Sequence, residues 1–233
     1  MAFCAGYGTE LAMKRHGLRS ALASAALALA ACASQPPVPD WQINAHGAAQ
    51  KAIEAYLSGD ARVEQLEWER SRAEIARTGR PELLARLELL RCAAQLASLV
   101  LQACDRFEAL RPDAAAPEQA YADYLAGRLP PAHAALLPPA QRKLAATGDA
   151  RALADIADPL SRLVAAGVLL RTGRASPALI TLASDTASAQ GWRRPLLAWL
   201  LLQLQRAEAA GDAEAAAALH RRITIVGQGA ALR

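Results

Sequence analysis

Residues 82–101 read ELLARLELLRCAAQLASLVL, and their apolar side chains recur every three or four positions. This spacing places one set of side chains along one side of an α-helix: Leu83, Leu87, Leu90, Ala94 and Ala97. Gly79 and Pro81 interrupt the chain just before the segment, as such residues commonly do at helix ends. We therefore predict that residues 82–101 form the central core helix of the protein.

Helix-favouring composition extends over the rest of the 233 residues. The chain is rich in alanine, leucine and arginine, and it contains only 2 phenylalanines and 4 tyrosines, which are residues that strands favour. Helical spacing begins at Trp41 and stops at Gly59. Further glycines separate four or five helices in the C-terminal half: Gly148, Gly173, Gly191 and Gly211. The sequence thus predicts an all-α fold.

Two pairs of prolines, Pro130-Pro131 and Pro138-Pro139, interrupt the chain within ten residues. Prolines at this density favour a hinge. We expect an N-terminal helical part at residues 41–129 and a C-terminal helical part at residues 130–233. The alternative is one continuous domain over residues 41–226.

Two turns in the C-terminal half begin with glycine and lie among small and large apolar residues. The two sets are Ala166, Leu169, Thr172, Gly173, Arg174, Ala178 and Leu182, and Leu200, Leu204, Ala207, Gly211, Asp212 and Ala216. The pattern resembles tetratricopeptide-like helical hairpins, in which small residues let paired helices pack closely. The turns lie 38 residues apart, whereas that repeat has about 34. The resemblance therefore implies an irregular helical-hairpin array or α-solenoid.

Near the N-terminus, a short apolar segment lies between basic residues and a cysteine. Its parts are Lys14, Arg15 and Arg19, the apolar run 21–31, and the closing residues Leu29, Ala30, Ala31 and Cys32. The apolar run is too short to span a bilayer as a helix. The segment resembles the signal peptide of bacterial, in particular proteobacterial, lipoproteins, in which small residues precede the cysteine. The alternative is an ordinary secretory leader in which the cysteine is coincidental.

The lipoprotein resemblance implies that the leader is removed before Cys32 and that Cys32 carries the acyl chains. Two or more acyl chains anchor a protein stably, so Cys32 alone would hold the chain on a lipid bilayer. Ala33 follows where aspartate would favour the inner membrane, which implies the periplasmic face of the outer membrane. Residues 32–40 contain three prolines and are expected to form an extended tether.

The first twelve residues do not resemble a basic leader, because Cys4, Gly6, Gly8 and Glu10 precede the first basic side chain. Met13 is therefore favoured over Met1 as the translation start. We expect residues 1–31 to combine a mis-called start with the signal peptide.

Cys92 and Cys104 lie twelve residues apart. On one straight helix they would be separated by about 18 Å, whereas a disulfide needs α-carbons within about 7 Å. Because the periplasm is oxidising, we predict a disulfide, with the chain reversing at residues 98–102. The alternative is that both thiols are small buried hydrophobic groups.

The sequence lacks the patterns of catalytic, metal and nucleic-acid sites. The histidines are scattered and have no partners at metal-ligand spacing: His16, His46, His133 and His220. Removing residues 1–31 lowers the formal net charge from +4 to +2, because three basic side chains and one acidic side chain are lost. We expect no metal, no cofactor, no nucleic-acid partner and no enzymatic activity.

Charged side chains at helical spacing dominate residues 62–78. Glu67 with Arg70, and Glu69 with Arg72, are such pairs, and they are typical of a solvated helix face.

The most apolar C-terminal segment contains Trp192, Trp199 and the run 196–202, with Arg193 and Arg194 beside it. Its side chains either pack into the core or form part of a groove for an envelope protein or peptide, since Trp and Arg are typical interface anchors. We expect a protein- or peptide-binding adaptor in envelope assembly, secretion or maintenance. One alternative is an enzyme acting on peptidoglycan or its fragments, in which the fold would bring together Glu69, Glu74 or Glu88. Another is a purely structural lipoprotein.

Overall fold

The computed structural model describes residues 37–231, and every regular element within them is helical. The α-helices are α1 (Asp40–Ser58), α2 (Ala61–Ala76), α3 (Pro81–Ala97), α4 (Asp105–Glu108), α5 (Ala116–Leu125), α6 (Pro139–Thr147), α7 (Pro159–Arg171), α8 (Pro177–Ala189), α9 (Arg193–Ala209) and α10 (Ala213–Ala231). Short 3-10 helices lie at Arg111–Asp113, Pro131–Leu136 and Ala150–Leu153. The predicted all-α helical array is confirmed.

The helices begin and end at the residues that the sequence marks. Gly59 ends α1 with φ of 83°, a left-handed conformation that favours glycine, and the side chain of Asp60 then accepts a hydrogen bond from the Val63 amide at the start of α2. Asp158 and Ser176 cap α7 and α8 in the same way. Local chemistry therefore accounts for most of the chain reversals.

Neighbouring helices form the main packing pairs. Helix α1 packs on α2, α8 packs on α9, and α9 packs on α10. The helix that joins distant parts of the chain is α3, which packs on α7 and α5 and also contacts α1 and α2. The described residues from Asp40 onward belong to one compact unit.

The main hydrophobic core lies between α3, α5 and α7–α9. Its largest fully buried side chain is that of Trp199, which packs with Leu163, Leu169 and Leu200. The core draws residues from both sides of the proline-rich segment at 130–139, since Leu96 and Tyr124 precede this segment and Leu163 follows it. Burial of this apolar surface is the main force that holds the C-terminal helices together.

A second, smaller core lies between α1, α2 and α3. Alanines at positions 45, 49 and 52 form its α1 side, and Trp68, Ile75 and Leu87 complete it. Since alanine buries little apolar area, this core is thinner than the main one.

The side of α3 that faces the main core differs from the predicted one. Its buried residues toward that core include Ala85, Leu89, Ala93 and Leu96, and Leu90 is 41% exposed. The prediction for Leu90 is wrong because α3 packs on α7 across one side and on α1 and α2 across another, so the exposed strip falls between the two contacts.

Two further features concern the ends of the described chain. The β-branched residues 223–226 continue α10, which runs to Ala231. Within residues 37–231, no helix is both long enough and apolar enough to cross a membrane.

Candidate functional site

The predicted lipidation site and its signal lie outside the described residues. Cys32 and the preceding residues Leu29, Ala30 and Ala31 precede residue 37, where the description begins. The lipid anchor and the mis-called start therefore remain predictions from the sequence.

Three of the predicted partner-binding residues bond to the end of α1. The Trp192 indole donates to Glu54 at 3.2 Å, Arg193 donates to the Gly59 carbonyl at 3.3 Å, and Arg194 donates to the Tyr56 carbonyl at 2.7 Å. The Arg194 guanidinium also lies 4.3 Å from the centre of the Tyr56 ring. These side chains join the beginning of α9 to the end of α1, and in this structure their polar groups bind the chain itself.

The fourth predicted partner residue, Trp199, is fully buried, and its Nε1 donates to the Ala97 carbonyl at 3.0 Å. Trp199 therefore lies in the packed core, which is one of the two interpretations that the sequence left open. A partner cannot reach this side chain without unfolding the core.

Cys92 and Cys104 lie at disulfide distance, with α-carbons 6.0 Å apart. Helix α3 ends at Ala97, and Leu99 adopts a positive φ of 60°, so the chain turns back between the two cysteines at the place that the sequence suggests. The turn requires no glycine or proline.

A groove crosses the exposed strip of α3. Two cavities of about 390 and 450 Å³ meet there, because Leu90 and Arg86 line both. We call this surface the apolar groove, and its large apolar side chains include Trp41, Leu83, Leu87, Leu90, Tyr121 and Leu136. The groove runs from α1 and α2, over α3, to α5 and the 3-10 helix at Pro131–Leu136.

Arginine side chains lie at the edges of the apolar groove. The ionised residues that line it are Arg80, Arg86, Arg142 and Glu118. Glu118 is held by Arg86 at 2.6 Å, and Arg142 donates to the Leu137 carbonyl at 2.7 Å. Arg80 pairs with Glu82 at 2.7 Å. The groove therefore offers exposed leucines on its floor and one guanidinium group, that of Arg142, that makes no ion pair within residues 37–231.

The fold does not bring together Glu69, Glu74 and Glu88, the three carboxylates named for the alternative of an enzyme. Glu74 pairs with Arg77 at 3.0 Å on the surface of α2. Glu88 is buried and pairs with Arg72 at 3.0 Å, so Arg72 does not lie on a purely solvated face as the sequence suggested. Glu69 accepts a hydrogen bond from Gln65 at 3.1 Å and lines a separate cavity with Arg72.

Sequence reasoning missed the apolar groove because it assigned Leu90 to the core. One signal was available: α3 has more leucines than one helix side can hold, since Leu83, Leu84, Leu87, Leu89 and Leu90 all fall within three turns. A helix with apolar residues on several sides must contact several neighbours or leave an apolar strip exposed.

When the chain is compared with protein-family models, with curated proteins and with solved structures, none of the three comparisons gives a match.

Proposed function

We propose that the protein is a lipid-anchored adaptor of the bacterial envelope that binds an apolar segment of a partner protein in the apolar groove. The observation that carries this proposal is the continuity of the groove over Leu90, which lines both of its cavities. Leu90 and Leu136 are 41% and 39% exposed, so both are available to a partner. An elongated groove with an apolar floor suits a peptide segment better than a compact ligand.

The charge of the groove favours a partner segment with acidic side chains. Three arginines and one glutamate line the groove. Arg86 is paired with that glutamate and Arg80 with Glu82, which leaves Arg142 as the cation that a partner's carboxylate would neutralise. Opposite charge at the edges of an interface increases the association rate and selects among partners. The occupant is therefore an apolar peptide segment flanked by aspartate or glutamate.

Selection of binders from a displayed random-peptide library tests this function. We expect enrichment of peptides that combine apolar residues with acidic ones. Replacing Leu90 with aspartate places a negative charge on the groove floor and should weaken the selected peptides at least about tenfold, which is about 1.4 kcal/mol. Affinities are measured by fluorescence anisotropy with the purified protein.

The matched control is Leu201→Asp, since Leu201 is 52% exposed on α9 and does not line the groove. This variant should bind the selected peptides as the wild type does. Equal weakening by both variants, or enrichment of basic peptides, would contradict a peptide site in the groove.

The location of the adaptor depends on Cys32. We propose that Cys32 is acylated and that the protein lies at the periplasmic face of the outer membrane. Cys32→Ala should abolish labelling by radioactive palmitate and move the protein out of the outer-membrane fraction. Ser34→Ala, two residues after Cys32 in the expected mature chain, is the control and should change neither result. Retention of label by Cys32→Ala would rule out the anchor.

The alternative function, an enzyme acting on peptidoglycan, requires carboxylates that face each other across a cleft. Of the three candidate carboxylates, Glu74 and Glu88 are each paired with an arginine, which leaves Glu69 at the edge of a cavity. Incubation with purified peptidoglycan, followed by chromatography of the soluble fraction, tests the alternative. Release of fragments by the wild type but not by Glu69→Gln would support the enzyme and contradict the adaptor as the function of the protein.

A further inference from the structure

Another cavity, of about 590 Å³, lies on the side of α3 toward α2 and α4, away from the apolar groove. We call it the arginine cleft. Its charged lining residues are Glu64, Glu69, Arg72, Arg91 and Arg106. A smaller cavity of about 250 Å³ continues from it, because Arg91 and Arg106 line both.

Two donors at the arginine cleft lack acceptors. Trp68 lines the cleft and is only 4% exposed, yet its Nε1 makes no hydrogen bond with any described residue. The buried Nε of Arg91 also has no partner there. A buried donor without an acceptor costs about 1–3 kcal/mol, and such groups in folded proteins usually mark a site for a ligand or water.

The cations of the cleft are incompletely neutralised. Arg91 lies 3.8 Å from Glu64, which is also 3.7 Å from Arg194 and is thus shared between two arginines. Arg106 makes no ion pair within residues 37–231. Arg72, the third arginine of the cleft, is paired with the buried Glu88 at 3.0 Å, so Arg91 and Arg106 are the cations that an added anion would stabilise.

The disulfide lies at the edge of the same site. Cys92 and Cys104 line the smaller cavity with Arg91 and Arg106. Because Cys104 immediately precedes α4, its bond to Cys92 on α3 fixes the start of α4 and with it the position of Arg106.

We propose that the arginine cleft binds a small molecule through a carboxylate that has an N–H donor beside it. The carboxylate accepts hydrogen bonds from Arg91, Arg106 and the Trp68 indole, and the adjacent N–H group donates to Glu69. This is the chemistry of a free amino acid and also of the C-terminus of a short peptide.

The two glutamates of the cleft favour this class over phosphate. Guanidinium groups bind phosphate and carboxylate equally readily. Glu64 and Glu69 lie at the same cavity, however, and they repel a doubly charged anion more strongly than a singly charged one. The same carboxylates provide acceptors for an N–H group, which phosphate does not have.

Isothermal titration calorimetry on the oxidised, purified protein at low salt tests the proposal with four probes. The probes are alanine, Ala-Ala, Ala-Ala amide and inorganic phosphate. Saturable binding of alanine, of Ala-Ala or of both supports the site, and which of the two binds identifies the ligand as a free amino acid or a peptide terminus. Amidation removes the carboxylate charge and should reduce affinity at least about tenfold.

Three variants assign the binding to the cleft. Arg106→Gln should raise the Kd of the bound probe about fivefold or more, because it removes one charge-assisted hydrogen bond from an exposed side chain. Trp68→Phe should raise it about fivefold, because it removes the indole donor and keeps an aromatic ring at the position. Arg62→Gln is the control, since Arg62 is exposed on α2 and does not line the cleft, and it should leave the Kd unchanged.

Three results would overturn the proposal. They are the absence of saturable heat at millimolar concentrations for both alanine and Ala-Ala, phosphate binding as tight as that of the carboxylate probes, and equal Kd values in all three variants. Leu90→Asp should not change the Kd, so the outcome is independent of the peptide site in the apolar groove.

Discussion

Trp199 and Trp68 are both almost fully buried, yet they lie in different surroundings. In the main core, the Trp199 indole donates to the Ala97 carbonyl and large aliphatic side chains surround the ring. In the smaller core, Trp68 packs against alanines of α1, its indole has no acceptor, and Arg91 lies 5.7 Å from the centre of its ring. The Trp199 indole is thus satisfied within the main core, whereas the Trp68 indole of the smaller core has no acceptor among the described residues.

Both proposed binding surfaces lie where packing is incomplete. The apolar groove and the arginine cleft border α3 on the sides that the main core does not cover. One side of this helix supplies stability, and the remaining sides supply exposed leucines and arginines. The following predictions test this division of roles.

The largest expected effect concerns the disulfide between α3 and the start of α4. Replacing both Cys92 and Cys104 with serine should lower the free energy of unfolding by about 3 kcal/mol, the chain-entropy value for a loop of this length. Urea denaturation measures the loss. In the double variant, amide hydrogen exchange should be accelerated more at residues 98–108 than in α7–α9. An equal acceleration throughout the described residues would contradict a separate role for the two regions.

A smaller effect is expected at helix crossings, where two glycines can be compared. A Cβ on Gly167 would lie 2.7 Å from the Leu96 carbonyl oxygen, so Gly167→Ala must push α7 away from α3 and should cost about 2 kcal/mol. Gly47 in α1 has no atom within 4 Å of the equivalent position, so Gly47→Ala should stabilise by about 0.5–1 kcal/mol through helix propensity. Thermal unfolding of both variants measures the two changes in stability, which should have opposite signs. Changes of the same sign would mean that the two regions are equally tightly packed.

The two tryptophans allow a finer comparison. Trp199→Phe removes the donor to the Ala97 carbonyl and should cost about 1.5 kcal/mol or more. Trp68→Phe removes a donor that has no partner, and this gain offsets the packing lost with the smaller ring, so the free energy of unfolding should change by less than about 0.5 kcal/mol. Chemical denaturation in the absence of ligand gives both values, and an equal loss would show that Trp68 has an acceptor in solution.

The smallest effect is a pH dependence within the main core. Burial raises the pKa of Tyr124 above its ordinary value of 10.0, and its hydroxyl donates to Gln141 at 2.8 Å. Below pH 10 the tyrosine is protonated in both folded and unfolded chains, so its full contribution to the free energy of unfolding is present. Above pH 10 the unfolded chain loses the proton first, and stability falls.

Tyr124→Phe serves as the comparison for this group. The free energy of unfolding of the wild type should exceed that of the variant by about 1 kcal/mol at pH 8, because the variant leaves Gln141 without its donor. The difference should shrink as the pH rises above 10. Urea denaturation at several pH values measures it, and a constant difference would show that Tyr124 is not shielded from solvent.

Much of the fold could be predicted from the sequence because the determinants are local. Gly59 and Gly211 end helices where they were expected to, and the cysteine spacing requires a chain reversal that the structure places at the end of α3. The candidate sites depend on contacts between distant helices. Whether Leu90 is buried depends on where α7 packs, and the acceptors for Arg193 and Arg194 lie more than 130 residues earlier in the chain.

The link between α9 and the end of α1 has a consequence for the order of folding. The three hydrogen bonds from Trp192, Arg193 and Arg194 span 134–138 residues of sequence. During synthesis, which starts at the N-terminus, the α1–α2 pair forms early. The end of α1 gains these donors only when nearly the whole chain is present. The end of α1 is therefore completed last, and a chain stopped before residue 192 would expose the end of α1 that α9 otherwise covers.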